Sequence, residues 1–258
     1  MEIEGRWTHD DYCSALEAEL GRFAEIVENA DPAAKVPTCP GWTIAKLLKH
    51  VGITQRWAEY LVRHRVAERM SSREVPVTLP DDDTGYPAWL AAGGASLVAT
   101  LREADPGTPM WSWGIDQHAS FWSRRMLHEG TVHRTDTEIA LGREPRIDSR
   151  VATDGVDEFL DNLAVATWVA DSLKELPGDG EVLHFHATDV DAGGEWTVTL
   201  GPDGFSWRHG HGKGDVAVRG AVSDLLLLLY GRLKPADGRF EVFGDRELLA
   251  RWLEKTAI

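Results

Sequence analysis

The chain is short of positive charge, of cysteine and of long apolar runs. Its 258 residues carry 27 Lys and Arg against 42 Asp and Glu, a formal charge of −15. So acidic a chain lacks the basic patch that nucleic acid or an anionic membrane demands, and neither is expected as a partner. The longest apolar run, Leu225 to Tyr230, is far below the ~20 residues of a membrane span. The start, Met1-Glu2-Ile3-Glu4-Gly5, is acidic and has no apolar stretch of the kind a secretory signal needs. Cys13 and Cys39 form no CxxC pair; they read as reduced thiols of a cytoplasmic protein and not as a disulfide framework. Neither has the basic neighbours that mark a nucleophilic thiol. Internal repeats and low-complexity tracts are also missing.

What remains is an ordinary apolar content of 43% with 11 Trp, enough for two modest cores in a chain of this length. The first half has helical periodicity. Asp10 to Ala30 carries Leu16, Leu20, Phe23, Ile26 and Val27 on one face, with Thr8 and Asp10 as cap candidates and Asp31-Pro32 as the stop. The turn-rich segment Val36-Pro37-Thr38-Cys39-Pro40-Gly41-Trp42 follows. Thr43 then caps a helix running to about Arg69, whose stripe is Ile44, Leu47, Leu48, Val51, Thr54, Trp57 and Leu61; His50 lies on its flank. After a polar loop over 70–85, Tyr86 to Arg102 is a third helix with a small-residue face, Ala91 to Ala95. A loop carrying Trp111 and Trp113 leads to a fourth helix, His118 to Leu141. Four such helices predict an antiparallel bundle.

Past residues 142–150 the period changes. Thr153 to Leu176 reads as a helix ended by Pro177-Gly178. Val182 to Thr188 and Trp196 to Leu200 alternate at period two around an Asp191-Ala192-Gly193-Gly194 turn, and Phe205 to His209 and Asp215 to Arg219 continue as strands. Ala221 to Tyr230 and Asp245 to Lys255 are helical. The fold class is therefore α+β, with a bundle over 1–146 and a small antiparallel sheet flanked by helices over 147–258.

The chemistry concentrates in Leu127-His128-Glu129-Gly130-Thr131-Val132-His133-Arg134-Thr135-Asp136. Four residues apart on a helix, Glu129 and His133 share a face. His128 and His133 are five apart and diverge by about 140° at roughly 100° per residue, so this is no HExxH site. Trp122, Arg125, Met126, Val132, His133, Asp136, Ile139 and Ala140 all fall within about 80° of Glu129. Charges in the middle of a buried stripe are costly unless paired or metal-bound. A carboxylate and an imidazole are two-thirds of a three-ligand catalytic metal site, and His50 on a facing helix can complete it. The competing reading makes these charges a solvated salt-bridge ladder, with Arg134 and Glu138 as further surface pairs. His184 with His186, and His209 with His211, find no third ligand by spacing and read as surface or hydrogen-bonded histidines. Arg219 and Arg232 are anion-binding candidates, though such Arg more often cap helices or pair with acids.

Val36-Pro37-Thr38-Cys39-Pro40-Gly41-Trp42-Thr43 with Leu47-Leu48-x-His50-Val51, and His128-Glu129-x-x-Val132-His133-Arg134-x-Asp136-x-Glu138-x-Ala140-x-Gly142, resemble the two signatures of the mycothiol-dependent maleylpyruvate isomerase family. Val182 to Asp189, Gly194-Glu195-Trp196, Arg219-Gly220 and Leu225 to Arg232 resemble its C-terminal domain. The resemblance implies a DinB-like bundle followed by a sterol-carrier-like domain. It implies His50, Glu129 and His133 as ligands of a divalent metal, expected to be zinc, with Asp136 orienting a ligand imidazole. It implies mycothiol, or another small thiol, as cosubstrate, for isomerisation or transfer on a small electrophile. Arg219 would then be a carboxylate-binding catalytic group. The alternative is a non-catalytic, metal-containing binding or sensory module for a small apolar ligand. Substrate, metal preference and oligomeric state are not set by the sequence.

Overall fold

The computed structural model describes residues 7–166, 172–173, 175–176, 178–191 and 193–257. The chain divides into two compact units, Met1–Pro145 and Arg146–Ile258.

The first unit is built on α1 (His9–Val27), α2 (Ile44–His64), α3 (Tyr86–Glu103) and α4 (Ser120–Ala140). Thr8 caps α1 in a reciprocal capping box with Asp11, which satisfies two of the free amides of the first turn. Thr43 caps α2, and Arg65 ends it in the left-handed conformation at φ 49°. The helices pack α1 against α4 and α3, and α2 against α3 and α4. The buried face of α2 continues through Gln55, Ala58, Leu61 and Val62. The predicted stripe through Thr54 and Trp57 is thus rotated off-centre, and His50 lies on the exposed side of it. Helix α4 differs more from expectation: Phe121 to Thr137 is buried all round except at Arg124 and Glu129, which are half-buried. Its polar residues must therefore find partners inside the protein.

Helices α2 and α3 approach closely where Gly52 faces Trp89. A Cβ on Gly52 would lie 2.1 Å from the Trp89 ring. That ring is held by Arg56, whose guanidinium carbon sits 3.7 Å from the ring centroid. Gly52→Val should therefore force the helices apart and destabilise the protein by about 1–3 kcal/mol. A urea titration checks this, and an unchanged midpoint would refute the close-approach account.

The second unit holds α5 (Ser149–Leu163), β1 (Val182–Ala187), β2 (Glu195–Gly201), β3 (Gly204–His209), β4 (Val216–Gly220), α6 (Val222–Leu229), β5 (Glu241–Gly244) and α7 (Arg246–Lys255). The expected helix to Leu176 is observed only as far as Leu163; 167–171, Lys174, Pro177 and the turn residue Ala192 lie outside the described residues, as does the acidic segment 1–5. The sheet order is β3-β2-β1-β4-β5. It is not the antiparallel sheet predicted, because β1 and β4 run parallel while the other pairs are antiparallel. The reason lies in the path after β3. His209 ends β3 opposite Trp196, near the far end of β1, and the chain crosses back over the sheet before Val216 pairs with Leu183. Strand β4 then starts level with β1 and runs the same way. One sheet face, with Leu183, Phe185, Trp196, Val198, Leu200, Val216 and Val218, is fully buried. Helix α6 packs on β1 and β4, α5 on α6, and α7 on β4. The opposite face carries His184, His186, Glu195 and Thr197.

Candidate metal centre

Glu129 and His133 lie one turn apart on α4, and His50 reaches them from α2. The His50 Nε2 atom is 3.2 Å from Glu129 Oε1, and His133 Nε2 is 3.4 Å from the same oxygen. Donor atoms of all three residues fall within 4.8 Å of one another. The edge of a tetrahedral zinc site with bonds near 2.05 Å is about 3.3 Å, so the donor set and its spacing fit such a cation.

The other nitrogen of His133 is also engaged. Nδ1 lies 2.9 Å from Asp136 Oδ2, and Asp136 is fully buried. This is the partner that fixes which imidazole nitrogen faces the cluster. Cys39 Sγ donates to the same Asp136 oxygen at 3.5 Å. Cys39, His133 and Asp136 thus form a second close group continuous with the first. Its cause is the segment before α2. Val36 N–H donates to Trp42 O, Trp42 N–H to Cys39 O, and Cys39 N–H to Val36 O, with Gly41 at φ 81° supplying the turn. This closed loop sets Cys39 against Asp136 and lays Trp42 beside His50 and His133, at ring-centroid distances of 5.1 and 6.4 Å. The link from Cys39 to Asp136 was not visible in the sequence, where Cys39 is remote from both.

Arg125, 6% exposed, places Nη2 2.9 Å from Glu129 Oε2. Burial alone would raise the Glu129 carboxyl; His133, the hydrogen bonds from His133 and His50, and Arg125 together hold it well below the carboxylate range. Burial likewise works to lower His133, and is outweighed by Glu129, Asp136 and Cys39, which keep its proton well above the usual imidazole range. Without a cation, the centre is an ion pair. Trp113 stands 5.8 Å from the Arg125 guanidinium carbon and packs on Phe121. Trp111 packs instead among Trp57 and Trp122 in the bundle.

Other residues singled out lie elsewhere. His128 is fully buried and belongs to none of the metal-competent groups among the described residues. Cys13 is buried in α1, and burial, opposed by Arg102, pushes its thiol up to about 11; it is no nucleophile. The Arg134–Glu138 pair, expected on the surface, is inside: Arg134 is 1% exposed. Arg219 belongs to the second unit and pairs with Glu241 at 3.1 Å.

Residues 13–138 match the family model of the mycothiol maleylpyruvate isomerase N-terminal domain, and residues 150–251 match that of the MDMPI C-terminal domain, the second domain of the same family. Among solved structures, a crystal structure of the mycothiol-dependent maleylpyruvate isomerase covers 92% of this chain and 93% of its own, at 13% identity and a TM-score of 0.57. A histidine-to-alanine mutant of such an isomerase covers 88% and 90%, at 15% identity and a TM-score of 0.59. At these identities the likeness speaks for the fold. A comparison with curated proteins finds no match to this sequence.

Proposed function

The chain belongs to the mycothiol maleylpyruvate isomerase family, and from that premise we propose that it is a divalent-metal-dependent enzyme that activates a small thiol against an electrophilic substrate. The observation that carries this reading is the convergence of His50 Nε2 and His133 Nε2 on one oxygen of Glu129. Two imidazoles and a carboxylate would hold zinc with one position left for a ligand from solvent. Zinc in such a site makes a thiolate available at neutral pH, which a free thiol supplies poorly.

The protein residues account for the rest. His50 is 42% exposed at its side chain, so the centre is reached from its side. Asp136 keeps the His133 ring oriented with Nε2 toward the cluster. Trp42 packs beside both imidazoles, its ring 5.1 Å from that of His50 and 6.4 Å from that of His133. Arg125 sits beside the carboxylate and balances its charge when the cation is absent. With mycothiol as the thiol, its addition to a cis double bond of a substrate such as maleylpyruvate leaves a single bond free to rotate, and elimination returns the thiol and the trans product. Arg219, in the second unit and paired with Glu241, is kept as a candidate for binding a carboxylate, since a guanidinium can do so in bidentate fashion. Among the described residues no helix is long and apolar enough to cross a membrane; the small, diffusible thiol and substrate and a cytoplasmic location are part of the proposal.

The test is paired. His50→Ala and His133→Ala should each lose one equivalent of bound zinc relative to the parent, together with mycothiol-dependent turnover of maleylpyruvate. Undiminished zinc in both variants would overturn the ligand assignment. Full zinc with no thiol-dependent reaction on any cis-enoate would leave the protein a metal-containing binding module.

A further inference from the structure

A second group of metal-competent side chains lies in the other unit, on the sheet face away from the helices. His184 and His186 are two apart on β1 and share that face. Across the ladder, His186 stands opposite Glu195 and His184 opposite Thr197. The Glu195 carboxylate receives three imidazoles. His184 Nε2 is 3.0 Å from Oε2, His211 Nδ1 is 2.9 Å from the same oxygen, and His186 Nδ1 is 3.8 Å from Oε1. Donor atoms of the four residues all fall within 4.8 Å of one another.

The chain path that brings His211 here is specific. Gly210 donates its N–H to Glu195 O at 3.0 Å and accepts from Thr197 Oγ1 at 2.9 Å. The crossing from β3 to β4 then runs close over the strands. A Cβ on Gly212 would lie 2.8 Å from Thr197 Oγ1, and one on Gly214 would lie 2.5 Å from Val216 O. Only glycine fits this crossing, and it sets the His211 ring 5.1 Å from that of His184, edge to face. His209, the neighbour read with His211 as a pair, turns instead to Asp157 at 3.1 Å.

We propose that His184, His186, Glu195 and His211 form a second divalent-cation site, a zinc site of three imidazoles and one carboxylate that fastens the 210–214 crossing to the sheet. Three imidazoles select a borderline transition-metal ion over calcium or magnesium, which take oxygen ligands. Four protein donors leave no position for a reactant, so the site is structural. A tetrahedral ion needs donor separations of about 3.4 Å; the His184 and His211 nitrogens stand 3.0 and 2.9 Å from one Glu195 oxygen and His186 3.8 Å from the other. His184 is buried and anchors the group, while His211 is 77% exposed at its side chain, so an ion has a path in. The site draws on no residue of the first centre and stands or falls separately from it.

The full chain, stripped with a chelator and titrated with Co²⁺ and then Zn²⁺, tests this. The parent should take up a second equivalent with the visible absorption of tetrahedral Co²⁺. His186→Ala/His211→Ala, two changes at half-buried and exposed positions, should lose that equivalent and at least 100-fold in its affinity. His50→Ala should retain it. Zinc should also raise the melting temperature of His50→Ala by several degrees, and not that of His50→Ala/His186→Ala/His211→Ala. Uptake that is the same in the parent and in His186→Ala/His211→Ala overturns the proposal. If instead only the His50-sensitive equivalent fails to appear, the first centre is refuted and the second stands.

Discussion

Glu129→Gln is expected to weaken zinc binding at the bundle centre by more than about 100-fold and to abolish thiol-dependent turnover. Even a partner that only orients a metal ligand is worth about 10–100-fold in affinity, and Glu129 is the one anion among the three donors. Its oxygen is the point on which both imidazoles converge. Glutamine keeps the shape and can still accept from Arg125, so a folded variant with unbound metal is the expected result. Isothermal titration with zinc reads the affinity, and a Kd within tenfold of the parent would refute the role.

The same substitution changes the pH dependence in a defined direction. The folded, metal-free protein holds the His133 proton more tightly than the unfolded chain, where the ordinary value is 6.5. The His133 contribution is therefore fully present below about pH 6.5 and is lost as pH rises through the higher folded value. Glu129 is depressed below its ordinary 4.5, so its contribution is present above that pH and lost as pH falls through the lower folded value. Zinc must displace the His133 proton. Its affinity should rise about tenfold per pH unit while His133 is protonated, then level off. In Glu129→Gln the anion that holds the proton is gone, so the levelling should move to lower pH. A break at the same pH in both proteins would show that another group controls binding.

Much of this centre was legible because helical spacing is a strong constraint. Glu129 and His133 needed only the period of one helix, and His50 needed only to lie on the flank of another. The expectation that bundle metal sites draw on facing helices then paired the two segments, and the family likeness agreed. Contacts made by loop closure and by register were not legible. Cys39 meets Asp136 through a loop whose hydrogen bonds no periodicity signals. On the sheet, His184 and His186 were visible as a pair, but Glu195 joins them through antiparallel register and His211 through the glycine crossing. The parallel pairing of β1 and β4 was hidden for the same reason, since it depends on where that crossing lands. Strand β5, only Glu241–Gly244, is too short to show alternation. For α4, the moment of a helix with polar groups on every side carries little information, and a surface reading of Arg134 followed from it.

That buried Arg134 has the second large consequence. Its Nε atom lies 2.6 Å from Glu19 Oε2, and its Nη1 lies 2.6 Å from Glu138 Oε2. Glu19, on α1, is fully buried and is met from the outer side by half-exposed Arg22. Two charges inside the α1–α4 interface are tolerated because each neutralises the other. Arg134→Met removes one and leaves the buried Glu19 carboxylate with only half-exposed Arg22 as its partner. The expected cost is about 3–5 kcal/mol, a fall of about 10 °C or more in melting temperature for a unit of this size. Glu19→Leu combined with Arg134→Met removes both charges, and should recover most of the loss, since paired charges replaced by apolar groups are often neutral. Thermal and urea melts of the single and double variants measure this coupling directly. A single-variant cost under about 1 kcal/mol, the value of an exposed pair, would refute it. Residues 133 and 134 point about 100° apart on the helix, so Arg134→Met, kept below its melting point, should bind zinc as the parent does. Stability and metal affinity are thus separable along the same turn of α4.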